Sequence, residues 1–394
     1  MYPLKNNSAF LFFLAVFPGY FFYHVLKSTA HVPYVGWFSV VLLLCAIYYL
    51  SRSFFCFFLQ QNQKVSIFIT IPFILLIASM VASTILNQLL NYQKYITIEG
   101  TLSNVEVIVW MIALFQIGLH FNVPENIRVG RWLSLLLIAF AACAIYFFNG
   151  SAGVMVMPVL PGDNSEAANY QGMARSVICT SFVFLPFIKG LRLRIILMLL
   201  TVFTLYLIGS RTELILFLIT VPIFFLAHFR LKGAYVLLIG AAVALLGLLF
   251  SGVDVLGKLQ SYTSGDASLN ERSVLLGAGI VGVMESPIFG DYLGQVRDFG
   301  ATGYYIHNAL SMWQQHGLLA FILFIYLSFV SVLLALKLVI NGRIGPYSDA
   351  LLGVSITCLV GILTTKAIFW PIPALAWGLA ANVVGRQRMG SVNP

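Results

Sequence analysis

Apolar runs of about twenty residues recur from one end of the chain to the other, separated by short polar breaks. A run of that length crosses a ~30 Å hydrocarbon core as an α-helix. Taken in order, the runs predict spans near 9–27, 34–50, 65–90, 101–120, 131–148, 171–188, 192–209, 212–229, 234–250, 307–338, 350–366 and 368–385. The last two are interrupted by Lys366, Trp370, Pro371 and Pro373. The pattern predicts an all-α, polytopic integral membrane protein, with about twelve transmembrane helices in one multi-span domain covering 1–394. A β-barrel would show ten-residue alternation instead of unbroken apolar runs. Phe54–Leu59 reads as an interfacial patch.

Most breaks hold little more than a turn, which packs neighbouring helices antiparallel. The exception is 251–306, far longer than the ~12–15 residues expected of an unstructured connection. Within it, Ser273 to Met284 carries apolar residues at helical spacing and predicts an amphipathic helix lying on the membrane surface. A long loop in an otherwise economical chain is where function is expected. No internal repeat and no low-complexity tract interrupts this plan.

Composition sharpens the picture. Of 394 residues, 60% are hydrophobic and only 9% charged, against about 25% charged in ordinary soluble domains. The net charge of +9 is spread between the spans and forms no basic stripe with interleaved aromatics, which argues against nucleic acid as a partner. The 22 Lys and Arg residues divide fourteen to eight between alternate sets of loops. That bias places both termini in the cytoplasm and the loops 149–170 and 251–306 on the outer face. Asp163, Glu166, Asp254, Asp266, Glu271, Glu285, Asp291 and Asp298 all fall in those two outer loops. The five cysteines lie in or beside apolar spans without a CxxC and read as small buried hydrophobes. The first run, Ala9 to Leu26, lacks a small-residue cleavage site, so no cleaved signal peptide is expected.

Chemistry is expected where polar residues meet the outer ends of spans. In Gly209-Ser210-Arg211 a short turn leaves a permanent charge at the bilayer edge, where an arginine needs a partner or a purpose. A pair with Glu213 or snorkelling to headgroups is one reading; a forked grip on phosphate oxygens is the other. Arg272 precedes the amphipathic segment, where its charge and free helix-start amides would favour a phosphate, although a solvated surface arginine fits equally. Arg297 and Arg175 are distinguished only by location. His307-Asn308 opens the span that continues through Ser311, Gln314, Gln315 and Gly317. A rim histidine can be purely structural, but an imidazole titrates close to neutral pH and suits a general base. His316 stands about half a turn round the helix from His307, so the two do not share a face for a metal. No HExxH, DxD or P-loop occurs, and neither a metal nor another cofactor is expected. Asn169-Tyr170-Gln171, after the other outer loop, either helps shape an acceptor pocket or is a polar helix start.

Gly209-Ser210-Arg211, Arg272, Ser286-Pro287-Ile288-Phe289-Gly290, and His307-Asn308 followed by Leu310 and His316-Gly317 stand in a distinctive order. In that order and spacing, the chain resembles the O-antigen ligase and polymerase superfamily of bacterial envelope glycosyltransferases. The resemblance covers roughly 207–325; before that only the spans agree. It implies a GT-C-like fold with one large periplasmic loop, in the bacterial inner membrane. It also implies a metal-independent, inverting transfer of an undecaprenyl-diphosphate-linked glycan at the periplasmic face. By position, Arg211 and Arg272 would bind the diphosphate and His307 would activate the acceptor hydroxyl. Arg297, Asn308, Tyr170 and Gln171 would support the acceptor side. A ligase would transfer the glycan to lipid A–core and a polymerase to a lipid-linked repeat unit. The compact outer loop and the His-helix motif favour the ligase. A lipid-linked oligosaccharide flippase or other transporter is the contrasting class; it would place ionisable groups deep within spans or show related halves. Here charges sit mainly at span ends, with Glu106 the clearest exception.

Overall fold

The structure is a computed structural model. It describes residues 7–30, 32, 35–58, 66–90, 98–124, 127–149, 154–156, 166–226, 267–300, 304–342, 345–366 and 368–390. In chain order the helices are α1 (Ser8–Val16), α2 (Pro18–Ala30), α3 (Trp37–Phe58), α4 (Ile67–Leu90), α5 (Ile98–His120), α6 (Val129–Tyr146), α7 (Glu166–Phe184) and α8 (Leu191–Ile208). They continue with α9 (residues 211–226), α10 (Ala267–Glu285), α11 (Gly294–Phe299), α12 (Leu310–Ile340), α13 (Pro346–Thr364) and α14 (Pro373–Gly390). A two-residue antiparallel pair, β1 (Phe148–Asn149) and β2 (Val154–Met155), is the only sheet among the described residues.

Every predicted span coincides with a helix except 234–250, which lies outside the described residues. Seven helical stretches there are long and apolar enough to cross a membrane: Ser8–Ala30, Ile67–Leu89, Gly100–His120, Val129–Tyr146, Leu191–Ile208, Leu310–Ile340 and Pro346–Thr364. Trp37–Arg52 is a shorter apolar helix. The chain is a multi-pass α-helical membrane protein. Its outward faces agree: α4 leaves Ile67, Phe68, Ile71, Ile74 and Leu75 half or more exposed, a surface matched to lipid rather than water.

Helix boundaries follow local chemistry. The first predicted span divides at Phe17, because Pro18 has no amide to donate and begins α2, where a missing N–H costs nothing. Inside the bundle, α5 and α14 cross at glycines. A Cβ on Gly118 would lie 2.4 Å from the Leu375 carbonyl oxygen, and one on Gly378 would lie 2.1 Å from that of Phe115. Small residues at a crossing let two backbones approach directly. Asn382 then donates to the carbonyls of Gly118 (3.1 Å) and Phe121 (2.8 Å), which fixes the register. Trp377 is fully buried beside Phe73 and Phe324, tying α14 to α4 and α12.

The long 251–306 segment is largely helical where it is described, in α10 and α11; 251–266 lie outside the described residues. The predicted amphipathic segment is part of α10. Leu275, Gly279 and Val283, one turn apart, form its buried stripe, while Val274, Val281 and Met284 face outward.

Candidate functional site

The Gly-Ser-Arg turn is a helix stop followed directly by a helix start, with only Gly209 and Ser210 between α8 and α9. Gly209 ends α8 in the left-handed region (φ 82°, ψ 11°), and its amide closes onto Leu205 and Tyr206, a conformation that favours glycine. Ser210 is buried and its carbonyl accepts the amide of Leu214, so α9 begins at once. Arg211 is therefore the first residue of α9, and it is exposed. Two residues on, Glu213 is fully buried. The Ser210 hydroxyl donates to one carboxylate oxygen, and Lys366 Nζ donates to the other at 2.5 Å.

Lys366 lies two residues past the end of α13. Burial pushes its pKa down, Glu213 opposes that shift, and Arg175 and Arg272 add to the lowering. Both arginines thus stand within electrostatic reach of the same ammonium group. Arg175, on α7, sits 5.7 Å from the Phe38 ring centre, and its buried Nε has no hydrogen-bond partner among the described residues. The Lys366 ammonium group itself is 5.8 Å from the Trp370 ring centre. The direct contacts therefore join Glu213 of α9 to the α13–α14 connection, while Arg175 of α7 and Arg272 of α10 act on Lys366 through their charge.

The sequence predicts that His307 opens the helix; in the structure it stands before it. Asn308 Oδ1 accepts the amide of Leu310 at 2.9 Å, a local bond that competes with helical pairing. The Ala309 amide is drawn instead to the carbonyl of Ile362, 2.6 Å away in α13. The helix starts at Leu310, and partly buried His307 stands on the turn before it. Its ring packs 5.1 Å from that of Tyr305, which packs 4.8 Å from Phe369. Burial raises the Tyr305 phenol above its ordinary pKa and keeps it neutral.

Behind this turn, α12 is broken at Gly317 (φ 81°, ψ −179°). The segment Ser286–Gly290 lies against the break. Asp291 donates its amide to the Gln314 carbonyl (2.7 Å), and Leu318 and the Trp313 indole both donate to the Pro287 carbonyl (3.1 and 2.8 Å). Gln315 accepts the Leu293 amide (3.0 Å) and donates to Gln295 (2.8 Å). His316 is buried, 5.3 Å from the ring of Tyr292, with Nδ1 2.7 Å from the Ser83 hydroxyl. Ser83 gives its single proton to the Met80 carbonyl. The bond from His316 therefore runs from Nδ1–H, a tautomer assigned from the network.

Among the sequence-predicted residues, Arg272 acts on Lys366 through its charge and Arg211 adjoins Ser210, which is bonded to Glu213. Asn308 shapes the His307 turn. Gln171 donates to Tyr170 at 3.2 Å on an exposed face of α7, one turn before Arg175. Arg297 falls in α11, but its side chain lies outside the described residues. In the sequence alone Lys366 stands out only as a topological charge that interrupts a span. Its signal was available: a lysine next to an apolar run needs a carboxylate, and Glu213 is one of few beside a span. No protein-family model matches this chain, and no curated protein matches it significantly.

Proposed function

We propose that the protein is a metal-independent, inverting glycosyltransferase that moves a glycan from undecaprenyl diphosphate onto a sugar hydroxyl. It would work at the periplasmic face of the bacterial inner membrane, on a GT-C-like bundle of about twelve spans with both termini cytoplasmic. The observation that carries this reading is one arrangement of two parts. His307 stands on a turn outside its helix, braced by the segment that follows Lys366. Lys366 in turn shares Glu213 with the Gly-Ser-Arg turn and lies within reach of Arg175 and Arg272.

The division of labour follows from charge. The imidazole of His307 takes the proton of the acceptor hydroxyl as its oxygen attacks the anomeric carbon from the face opposite the diphosphate. The bond between that carbon and the diphosphate oxygen breaks, and its electron pair stays on the diphosphate. Arg211 and Arg272 stabilise that charge, for which forked guanidinium groups are suited. One base and a held leaving group complete an inverting displacement. The acceptor favoured is lipid A–core, making the protein a ligase; a lipid-linked repeat unit would make it a polymerase.

The test is transfer by the purified protein from an undecaprenyl-diphosphate-linked glycan to lipid A–core. Activity that disappears in His307→Ala, in a protein still folded and inserted, supports the reading; undiminished transfer in that variant rejects it. The lipopolysaccharide of a deletion strain separates the branches. Long lipid-linked polymer with bare core marks a ligase, and core bearing a single repeat marks a polymerase.

A further inference from the structure

We infer that the Glu213–Lys366 ion pair is a positioning device that locks the His307 turn to the Gly-Ser-Arg turn, so that base and anion-binding residues are held as one unit. Its catalytic consequence rests on the transfer reaction proposed above; its structural content does not.

The linkage is continuous in the contacts. On the α9 side, Glu213 is held by the Ser210 hydroxyl, one residue from Arg211. Across the pair, the amides of Thr365 and Lys366 both close onto the Gly361 carbonyl (2.9 and 2.8 Å), so the end of α13 is tightly wound where the lysine leaves it. The His307 turn is then gripped on both sides of residue 366. Before it, the Ile362 carbonyl accepts the Ala309 amide at 2.6 Å. After it, the Ile368 amide donates to the Ser311 hydroxyl at 2.9 Å, and Phe369 packs on Tyr305, which packs on His307. A displacement of Lys366 therefore moves both supports of the histidine.

The pair also has a reason to be ionic. Glu213 is 1% exposed and Lys366 8%. A buried carboxylate without a counter-ion is strongly disfavoured, and so is a buried ammonium group without one. A hydrophobic contact could hold the two segments together but could tolerate sliding; a 2.5 Å ion pair fixes one point on each.

The experiment compares wild type with Glu213→Gln, Lys366→Met, Lys366→Arg and the exchanged pair Glu213→Lys with Lys366→Glu. Amide hydrogen exchange over 305–312 is read first. Positioning predicts faster exchange there in Glu213→Gln and Lys366→Met, and protection regained in the exchanged pair. Unchanged exchange overturns the inference whatever the activity. The transfer assay is read second. A misplaced base lowers kcat roughly 100-fold at unchanged donor KM, with the exchanged pair returning to within about tenfold of wild type. A raised donor KM with kcat intact makes Lys366 a donor ligand and overturns positioning, as does faster exchange with unaltered kcat. If the single variants do not fold, Lys366→Arg decides, because it keeps the charge: protection and kcat close to wild type support the pair, and loss of both overturns it. A wild-type protein inert on the lipid-linked glycan defeats the proposed function alone, since the exchange measurement still judges the linkage.

Discussion

Gly290 and Gly317 meet backbone to backbone. A Cβ on Gly290 would lie 2.5 Å from the Gly317 amide nitrogen, and a Cβ on Gly317 would lie 2.1 Å from the Ile288 carbonyl oxygen. Both have positive φ, 71° and 81°. The contact lets the segment before α11 reach into the broken backbone of α12, where Asp291 and Leu318 satisfy groups that the break would leave open.

Gly317→Ala is accordingly expected to be severely destabilising. Its φ of 81° and ψ of −179° lie in a region open essentially to glycine alone, and the added methyl meets backbone that cannot rotate away. A loss of at least ~3 kcal/mol follows. Gly300 has φ 74° and no described residue within 4 Å of an added Cβ, so among the described residues Gly300→Ala carries only the left-handed cost of about 1–2 kcal/mol. Gly277, helical and unobstructed in α10, should gain roughly 0.4–1 kcal/mol as alanine. Thermal unfolding in one detergent ranks the three; Gly317→Ala melting above Gly300→Ala contradicts the account.

Ser83 anchors His316 from α4. With its proton committed to Met80, the hydroxyl oxygen is the acceptor for a buried ring N–H. Ser83→Ala strands that donor and is expected to cost about 1–3 kcal/mol, whereas Ser83→Thr keeps the oxygen and stays within about 1 kcal/mol. Equal melting temperatures for the two variants would show that the hydroxyl contributes nothing.

His307→Ala removes the base without removing its supports, because Tyr305 still packs on Phe369 and Ala309 still binds Ile362. Transfer should fall by ~10²–10⁴-fold with the melting temperature little changed. Arg211→Lys keeps the charge but loses the forked geometry, so impaired transfer is expected there too. Wild-type turnover in that variant would reduce Arg211 to a headgroup anchor.

The sequence made the helices legible because hydrophobic run length is a local property. The runs at 65–90 and 192–209 coincide with Ile67–Leu90 and Leu191–Ile208 to within two residues. His307 and Arg272 were legible as polar groups out of place. What remained hidden depends on pairings between distant residues. Lys366 and Glu213 are 153 positions apart, and Ser83 and His316 are 233 apart. The break at Gly317 was hidden for another reason: an apolar run carries no mark of where its hydrogen-bond ladder stops. The turn at His307 was half visible, since Asn308 is a residue type that favours local side-chain bonds over helix.

Burial, with Arg175 and Arg272 adding to it and Glu213 opposing, lowers the Lys366 pKa. The lysine therefore releases its proton below the ordinary value of about 10.4. Between those two values the unfolded chain holds the proton and the folded protein does not, so this group makes stability rise with pH. The benefit is complete above the unfolded pKa and is lost as pH falls through the folded one. Activity should move the opposite way. Neutral Lys366 no longer pairs with Glu213, the supports of the His307 turn loosen, and kcat falls across a window in which the protein is not unfolding. In Lys366→Arg the guanidinium stays charged throughout, and the alkaline fall in kcat should disappear. Profiles of kcat and melting temperature recorded together on both proteins check this. An alkaline limb that survives in Lys366→Arg assigns it to another group.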